Sequence, residues 1–460
     1  MSHTPLQSLC RQLPACVISQ TPSHLTLAVT STPPQEMLDA LHFASQCQLL
    51  FEYWPQARIE QQLRQQHLSQ PAGQPLLDIP ELAQQLLDQA TRQRASDIHI
   101  DPRAEGFQIR LRIDGILHPL PSANTYPGEA LIARFKVLAG LDIAETRRPQ
   151  DGKLTADSDS GQQPHSFRLS TLPTEFGEKM VLRRQYPATA ALLPEQLGLA
   201  ADDLRDLQHC LNQPQGMILV TGPTGSGKTL TLYSLLNALN SPQRNLVSAE
   251  DPIEISLPGV NQSQVNSKAG FSFSLILRAL LRQDPDVIMI GEIRDDETAE
   301  IAVKAAQTGH LVLATLHTNS PPEAITRLRQ MGIPGYLLAA SLRLIIAQRL
   351  VRKLCQHCRR QAEPPLKLPV SLSEQPLMHW QACGCDHCFS GYYGRRGLFC
   401  LLPIKEALSQ AIAADSPPGT LTDIALQQGM RPLLLSGLQA IREGDTSWPE
   451  VVRVTGGING

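Results

Sequence analysis

The sequence predicts an α/β fold, and three observations predict it. Short apolar runs of strand length recur between residues 213 and 350: Met217-Ile-Leu-Val-Thr221, Asn245-Leu-Val-Ser-Ala249, Asp286-Val-Ile-Met-Ile290 and the run between His310 and His317. They read as buried strands. Two are followed by apolar residues near helical spacing: Leu230, Leu232, Leu235, Leu236 and Leu239 after the first, and Ile301, Ala305 and Ala306 after the third. Each run also ends in residues that carry chemistry: a glycine loop, an acidic cluster, a Gly-Glu pair and a histidine.

In chain order, residues 1–65 form a first small unit. Leu25, Leu27 and Val29 alternate with polar or small neighbours as a strand does, Met37, Leu38, Leu41 and Phe43 follow helical spacing after Pro33-Pro34, and Leu49-Leu50-Phe51 is strand-like. With no catalytic chemistry here, the unit reads as a docking domain, or else as a stabilising cap on the next one. Residues 66–75 continue a Gln-rich, Pro-containing stretch and read as a linker.

Residues 76–187 form a second domain. A helix over Glu81–Arg94 leads into Ser96-Asp-Ile-His-Ile-Asp-Pro102. Then Ile109, Leu111 and Ile113 alternate with Arg110 and Arg112, and Asp114-Gly115 signals a hairpin. Two later runs also bear arginines, Phe167-Arg168-Leu169 and Met180-Val-Leu-Arg-Arg184. Arginines on one sheet face are either a solvated surface or donors that reach a phosphate across an interface, for which guanidinium geometry is suited.

After a connecting segment, 188–212, the region 213–350 holds the centre of the chain. Gly222-Pro223-Thr224-Gly225-Ser226-Gly227-Lys228-Thr229 fits the phosphate-binding loop pattern and stands between a strand and a helix. Glycines let the backbone fold close round phosphate, and the helix N-terminus adds partial positive charge. Lys228 then reaches the β and γ phosphates of a nucleoside triphosphate, and Thr229 offers its hydroxyl to Mg²⁺. Glu250, Asp251 and Glu254 follow the second strand, at the edge where nucleotide-binding sheets present their chemistry. Gly291-Glu292 ends a Walker B-like strand, whose carboxylate serves Mg²⁺ or orients the attacking water. Asp295 and Asp296 favour a helix start, and Ser320-Pro-Pro-Glu323 suggests a capping box with Pro at N1. A single carboxylate or histidine at a strand end is ordinarily a cap or a core residue. Their order here favours a hydrolytic site.

Residues 351–400 carry two C-x-x-C pairs, Cys355/Cys358 and Cys385/Cys388, which fit a closed tetrahedral Zn²⁺ site. A redox dithiol is the competing reading, and Cys383 leaves the fourth ligand open. Residues 401–460 read as helices, among them Thr420–Gln428.

At 460 residues, with 42% hydrophobic and 18% charged residues, the chain is soluble, globular and of several domains. A net charge of −3 and 4% aromatic residues give no nucleic-acid footprint. No secretory signal is visible. The most apolar stretch, Tyr336–Leu350, is interrupted by Arg343 and Arg349 and reads as a core helix rather than a membrane span. Six of ten cysteines cluster between Cys355 and Cys400, which suits metal in a reducing cytosol.

These motifs together resemble the secretion ATPase superfamily, specifically the type II secretion and type IV pilus assembly ATPases (the GspE/PilB family, with its HofB-like members). The resemblance spans roughly 76–404. It rests on Gly222–Thr229, the acidic box Glu250–Glu254, Gly291-Glu292, the histidine box Thr308–Thr318, and on Ala95–Ile100, Arg112–Gly115, Leu141–Glu145 and Pro149–Gly152. It implies an α/β RecA-like P-loop ATPase core, preceded by an α+β (PAS-like) domain and carrying a tetracysteine zinc insertion. The implied assembly is a homo-hexameric motor with nucleotide between the second and third domains. By the resemblance Glu292 positions or deprotonates water, Glu254 is its acidic partner, and His317 and His310 sense the γ-phosphate. Arg168 and Arg183 would act as fingers, with Arg278, Arg282 and Arg294 near the site. Cys400 stands where the family commonly has an acid. The implied partners are inner-membrane platform proteins, with membrane contact only through them, at the cytoplasmic face of a bacterial inner membrane. Two other readings fit the fold: a scaffold that binds nucleotide without turnover, and a nucleic-acid translocase.

Overall fold

Leu27, Ala28 and Val29, consecutive on one strand and so facing alternate sides, are all buried, and Ala28 packs with Ile59. The computed structural model describes residues 15–20, 24–30, 33, 48–56, 59, 78–120, 127–156, 165–185, 192–266, 269–369 and 375–456. The chain forms two compact units, Met1–Asp78 and Ile79–Gly460. In the first, β1 (Ala15–Gln20) pairs antiparallel with β2 (His24–Val29), which pairs in parallel with β3 (Gln48–Tyr53). The helical run through Met37 and Phe43 and the linker at 66–75 lie outside the described residues.

The second unit begins with α1 (Ile79–Arg92), β4 (Asp97–Arg103), β5 (Gly106–Ile113), β6 (Ile116–Pro119), α2 (Gly128–Leu138), β7 (Gln150–Ala156), β8 (His165–Thr174) and β9 (Gly177–Gln185). The six strands form an antiparallel sheet in the order β6-β5-β4-β9-β8-β7. The two-residue period sorts its faces. Ile98, Ile100, Ile109, Leu111, Phe167, Leu169, Met180 and Leu182 pack into one core with residues of α1 and α2. Asp97, Asp101, Arg110, Arg112, Arg168, Lys179 and Arg183 alternate with them on the other face. There Asp101 takes Arg110 at 2.6 Å and Lys179 at 3.0 Å, while Asp97 takes Arg183 at 2.9 Å and Arg112 at 3.6 Å. The expected hairpin is formed, with positive φ at both Asp114 and Gly115 as a two-residue primed turn requires.

The region that carries the phosphate loop contains α3 (Ala201–Leu211), β10 (Gly216–Thr221), α4 (Lys228–Leu239), β11 (Leu246–Glu250), β12 (Val260–Gln264), α5 (Phe273–Leu280) and β13 (Val287–Ile290). It continues with α6 (Asp296–Gln307), β14 (Leu311–Leu316), α7 (Pro321–Gln330), α8 (Gly335–Ser341), β15 (Leu342–Leu354), β16 (Arg360–Leu366), β17 (Leu377–Gln381) and β18 (Tyr392–Pro403). Seven strands form one sheet in the order β12-β11-β13-β14-β10-β15-β18, parallel except for β18. Helices cover both faces, which is why the central strands β10, β13 and β14 are buried along their whole length, whereas the edge strand β12 is polar. Met217 and Leu219 join the cluster that includes α5 to α8, whereas Ile218 and Val220 join the one that includes α3 and α4.

Two details depart from the sequence reading. Tyr336–Leu350 is not one core helix: α8 ends at Ser341 and β15 takes over. β15 lies between β10 and β18, and burial on both faces erases the alternation that would mark it as a strand. At α7, Glu323 accepts the N–H of Asn319, one residue before the N-cap Ser320, so the expected capping box is not formed. As the resemblance implies, the cysteine pairs sit in an insertion, here between two strands of the seven-stranded sheet, β15 and β18, with β16 and β17 forming its ribbon. Helices α9 (Glu406–Ala413), α10 (Pro418–Gln427), α11 (Leu433–Arg442) and α12 (Trp448–Thr455) complete the unit.

The second domain meets β18 through its hairpin. Asp114 accepts the N–H of Gly394 at 2.8 Å, the Arg94 guanidinium lies 3.7 Å over the Tyr393 ring, and His118 stacks near Phe389. Among the described residues no helix is long and apolar enough to cross a membrane.

Glu450 ties α12 to β15, taking Arg352 at 2.6 Å and Arg453 at 2.8 Å. Burial alone would raise its carboxyl, but the two guanidiniums hold it down at about 2. A depressed carboxyl stabilises above its ordinary value and loses that contribution as pH falls through its folded value. Glu450→Gln is therefore expected to cost about 3 kcal/mol at neutral pH. The melting-temperature gap to wild type should close as pH falls from about 4.5 towards about 2.

Candidate functional site

The parallel strands deliver their C-terminal ends to one edge of the sheet, where α/β proteins place ligands. Gly222 follows β10, Glu250 ends β11, Gly291-Glu292 follow β13 and His317 follows β14. Two glycines of the loop have no alternative. A Cβ on Gly222 would fall 2.5 Å from the Gln348 carbonyl, and Gly227, with φ 89°, would place one 2.9 Å from Gln348 Nε2. Thr221 Oγ1 accepts the Thr318 N–H at 3.0 Å, which fastens the loop strand to the end of the histidine box.

A cavity of about 1060 Å³ opens here, lined by Thr224–Thr229, Glu250, Asp251, Glu254, Glu292 and His317. Lys228 donates to the carbonyls of Gly222 at 2.8 Å and Pro223 at 3.0 Å. Burial lowers its pKa to about 8, Glu292 opposing and Arg349 adding to the shift. Glu292 is paired with Arg294 and lies 3.4 Å from His317 Nε2; Arg294 also reaches Asp251 at 3.6 Å. Thr315 Oγ1 donates to the Gly291 carbonyl at 2.6 Å and Gly291 donates to Ala249 at 2.8 Å, so the turn that carries Glu292 is held from both neighbouring strands. Thr229 and the carboxylates are hard oxygen donors, a set that suits Mg²⁺. Burial raises the carboxyl of Glu254, while the charges of Arg183 and Arg168 pull it back. Both arginines are thus near enough to act on the acidic box through their charge, but neither lines the cavity. Arg183 is not a free finger, because Asp97 holds its Nε.

Other expected members lie elsewhere. His310 precedes β14, at the edge opposite the loop, and its Nδ1 sits 3.0 Å from the Ala305 carbonyl. A six-residue strand separates it from His317 by about 20 Å, too far to sense the same phosphate. Arg278 pairs with Glu297 at 2.7 Å and Arg282 donates to the Arg278 carbonyl, so neither lines the cavity. Glu250 does line it, but its carboxylate is buried and engaged by Tyr233, Ser248 and Gln262.

Cys355, Cys358, Cys385 and Cys388 form a second centre. Their sulfurs approach at 3.8 Å (Cys355 to Cys385), 3.7 Å (Cys358 to Cys388) and 3.7 Å (Cys385 to Cys388). A tetrahedron of thiolates about 2.3 Å from Zn²⁺ has an edge of about 3.8 Å, and a disulfide is far shorter. The backbone N–H of Gly384 donates to Cys358 Sγ and that of Cys385 to Cys388 Sγ, both at 3.3 Å, as thiolate ligands require. Cys383 is exposed and outside the cluster. Cys400 is buried opposite Ala347 in the sheet, where burial pushes its thiol up to about 12.

The family described as "Type II/IV secretion system protein" matches residues 75–453. This chain is a member of that family. It is 49% identical over 458 residues to the protein transport protein HofB homolog of Escherichia coli (strain K12), covering 99% of each chain. It is 47% identical over 375 residues to the type IV pilus assembly ATPase PilB of Pseudomonas aeruginosa, covering 80% of this chain and 66% of that one. The Legionella pneumophila ATPase DotB shares the fold, with a TM-score of 0.60 at 21% identity, over 84% of this chain and 98% of that one.

In this secretion-system family member, several residues of the site escape a motif reading. Asp97 holds Arg183, and Arg349 is buried where it donates to Asn319 Oδ1 at 3.0 Å and to the Gln348 carbonyl at 2.9 Å. Gln348 accepts from Thr231 at 2.7 Å. Arg349 is one of two arginines that interrupt the apolar stretch Tyr336–Leu350, and a charge placed there is the available signal.

Phosphate requires the ammonium form of Lys228. ATP affinity is accordingly expected to hold below a pH of about 8 and to weaken about fivefold between pH ~8 and ~9. Titration of a fluorescent ATP analogue across that range checks the sign. Metal analysis is expected to give one zinc per chain, and Cys355→Ser to lose both metal and solubility.

Proposed function

We propose that this family member is an ATP-hydrolysing motor that powers assembly of a type IV pilus or pseudopilus, or type II protein secretion. The observation that carries it is one cavity lined by the phosphate loop from Thr224 to Thr229 together with Glu292, Glu254 and His317. The reaction is ATP + H₂O to ADP + phosphate. Lys228 and the loop N–H groups hold the phosphates, and Glu292, oriented by Arg294 and His317, takes the hydrogen bond of the attacking water. Mg²⁺, when bound by Thr229 and the carboxylates, neutralises charge that develops on the phosphate oxygens. Arg168 and Arg183 close the site from the second domain, and that closure is the working stroke. We place the motor as a homo-hexamer on platform partners, peripheral to the cytoplasmic face of a bacterial inner membrane, with residues 1–65 as its docking domain. The four-cysteine insertion holds a structural Zn²⁺.

Glu292→Gln is expected to bind ATP as wild type does and to release phosphate at least about 100-fold more slowly. Equal phosphate release from the two proteins, with Lys228→Ala as the inactive reference, would remove Glu292 from the mechanism.

A further inference from the structure

Tyr233 is one of the largest fully buried side chains, yet its hydroxyl is at the centre of a polar network. It lies on α4, five residues after Lys228, on the helix whose first turn sets where the phosphates sit. The hydroxyl donates to Glu250 Oε2 and accepts the backbone N–H groups of Glu254 at 3.1 Å and Ile255 at 3.4 Å. A phenol has one donor and two acceptor sites, and all are in use. Glu250 is fixed in turn by Ser248 at 2.6 Å and Gln262 at 2.9 Å. Among the described residues the N–H groups of 254 and 255 have no other acceptor.

We propose that Tyr233 is a positioning residue for hydrolysis: its hydroxyl sets where the Glu254 segment stands relative to the phosphate-loop helix. The segment from Glu250 to Ile255 leaves the end of β11 and enters no helix or strand. Among the described residues its hydrogen bonds to α4 all run through this oxygen, which grips it at the Glu250 side chain and again at the backbone of 254 and 255. Ile255 also packs in the apolar cluster with Leu232 and Leu236, and Gln264 and Gln262 of β12 hold the backbone of 253 and 255 from the other side. Glu254 itself is placed by its backbone, and its carboxyl then lies under the influence of Arg183 and Arg168. The hydroxyl thus joins the group that holds phosphate to the group that meets the second domain. Ring packing alone would not need the oxygen, because Phe fills the same apolar space among Leu232, Leu235 and Leu236. The inference rests on the ATPase reading of the site.

The test is steady-state phosphate release by full-length Tyr233→Phe, Glu254→Gln and the double variant. Tyr233→Phe is expected to lower kcat about tenfold or more, with KM for ATP within about threefold of wild type. The double variant should match Glu254→Gln within about twofold, since the two changes act on one position. A wild-type kcat in Tyr233→Phe, or losses that multiply in the double variant, overturns the proposal. Hydrogen exchange on the wild-type protein gives a second measurement that does not depend on the variant folding. Protected amides at 254 and 255 support the tether, and free-loop exchange there overturns it. If wild type itself releases no phosphate above the Lys228→Ala level, the ATPase reading fails instead.

Discussion

The register of the parallel sheet is the constraint from which the site follows. Ala249, Ile290 and Ala314 stand on one rung across β11, β13 and β14, and Thr221 pairs with Leu316 two residues further along. Glu250 and Gly291 therefore leave the sheet at one level, and His317 and Gly222 leave it together two residues, about 6.6 Å, further on. A slip of one residue would move an end by about 3.3 Å and turn every side chain to the opposite face. Helices cover both faces with distinct clusters, so that slip is forbidden by packing as well as by hydrogen bonds. Four short-range sequence features thus become one cavity without any direct bond among most of them.

That division explains what the sequence could tell. Gly222–Thr229, Glu292 and His317 were legible because their chemistry is local: a loop, a strand and a residue at its end. The family and the α/β class followed from their order. Residues whose roles come from distant partners were not legible. Tyr233 hides among leucines at helical spacing, and only the approach of Glu250 makes it polar in function. Asp97 is separated from Arg183 by most of a domain. His310 was misplaced for a different reason, since strand direction admits only one of two bracketing histidines to the reactive edge. β15 reads as helix in the sequence because a strand buried on both faces shows no period of two.

The charged face of the second domain shows how arginines can face a partner without being loose. Asp97 and Asp101 are buried at the sheet surface, and each holds two basic side chains. His99 stands between them, and burial lowers its pKa, so the histidine adds little charge to the array. Two carboxylates thus fix the geometry of four cations. Arg168, on β8, is exposed and has no carboxylate partner among the described residues. On this surface Arg168 is the cation least encumbered for a new anion, and Arg183 must share itself with Asp97.

The bond between Asp114 and Gly394 has a mechanical meaning. It pins one edge of the second-domain sheet to a strand of the ATPase sheet, while β8 lies three strands away across the order β5-β4-β9-β8. At about 4.8 Å per strand, Arg168 sits on an arm of about 14 Å measured from that pin. A rotation of about 10° about it carries Arg168 through roughly 2.4 Å but Arg183, one strand nearer, through only about 1.7 Å. The hairpin is then a fulcrum, and distance from it grades how far each arginine travels.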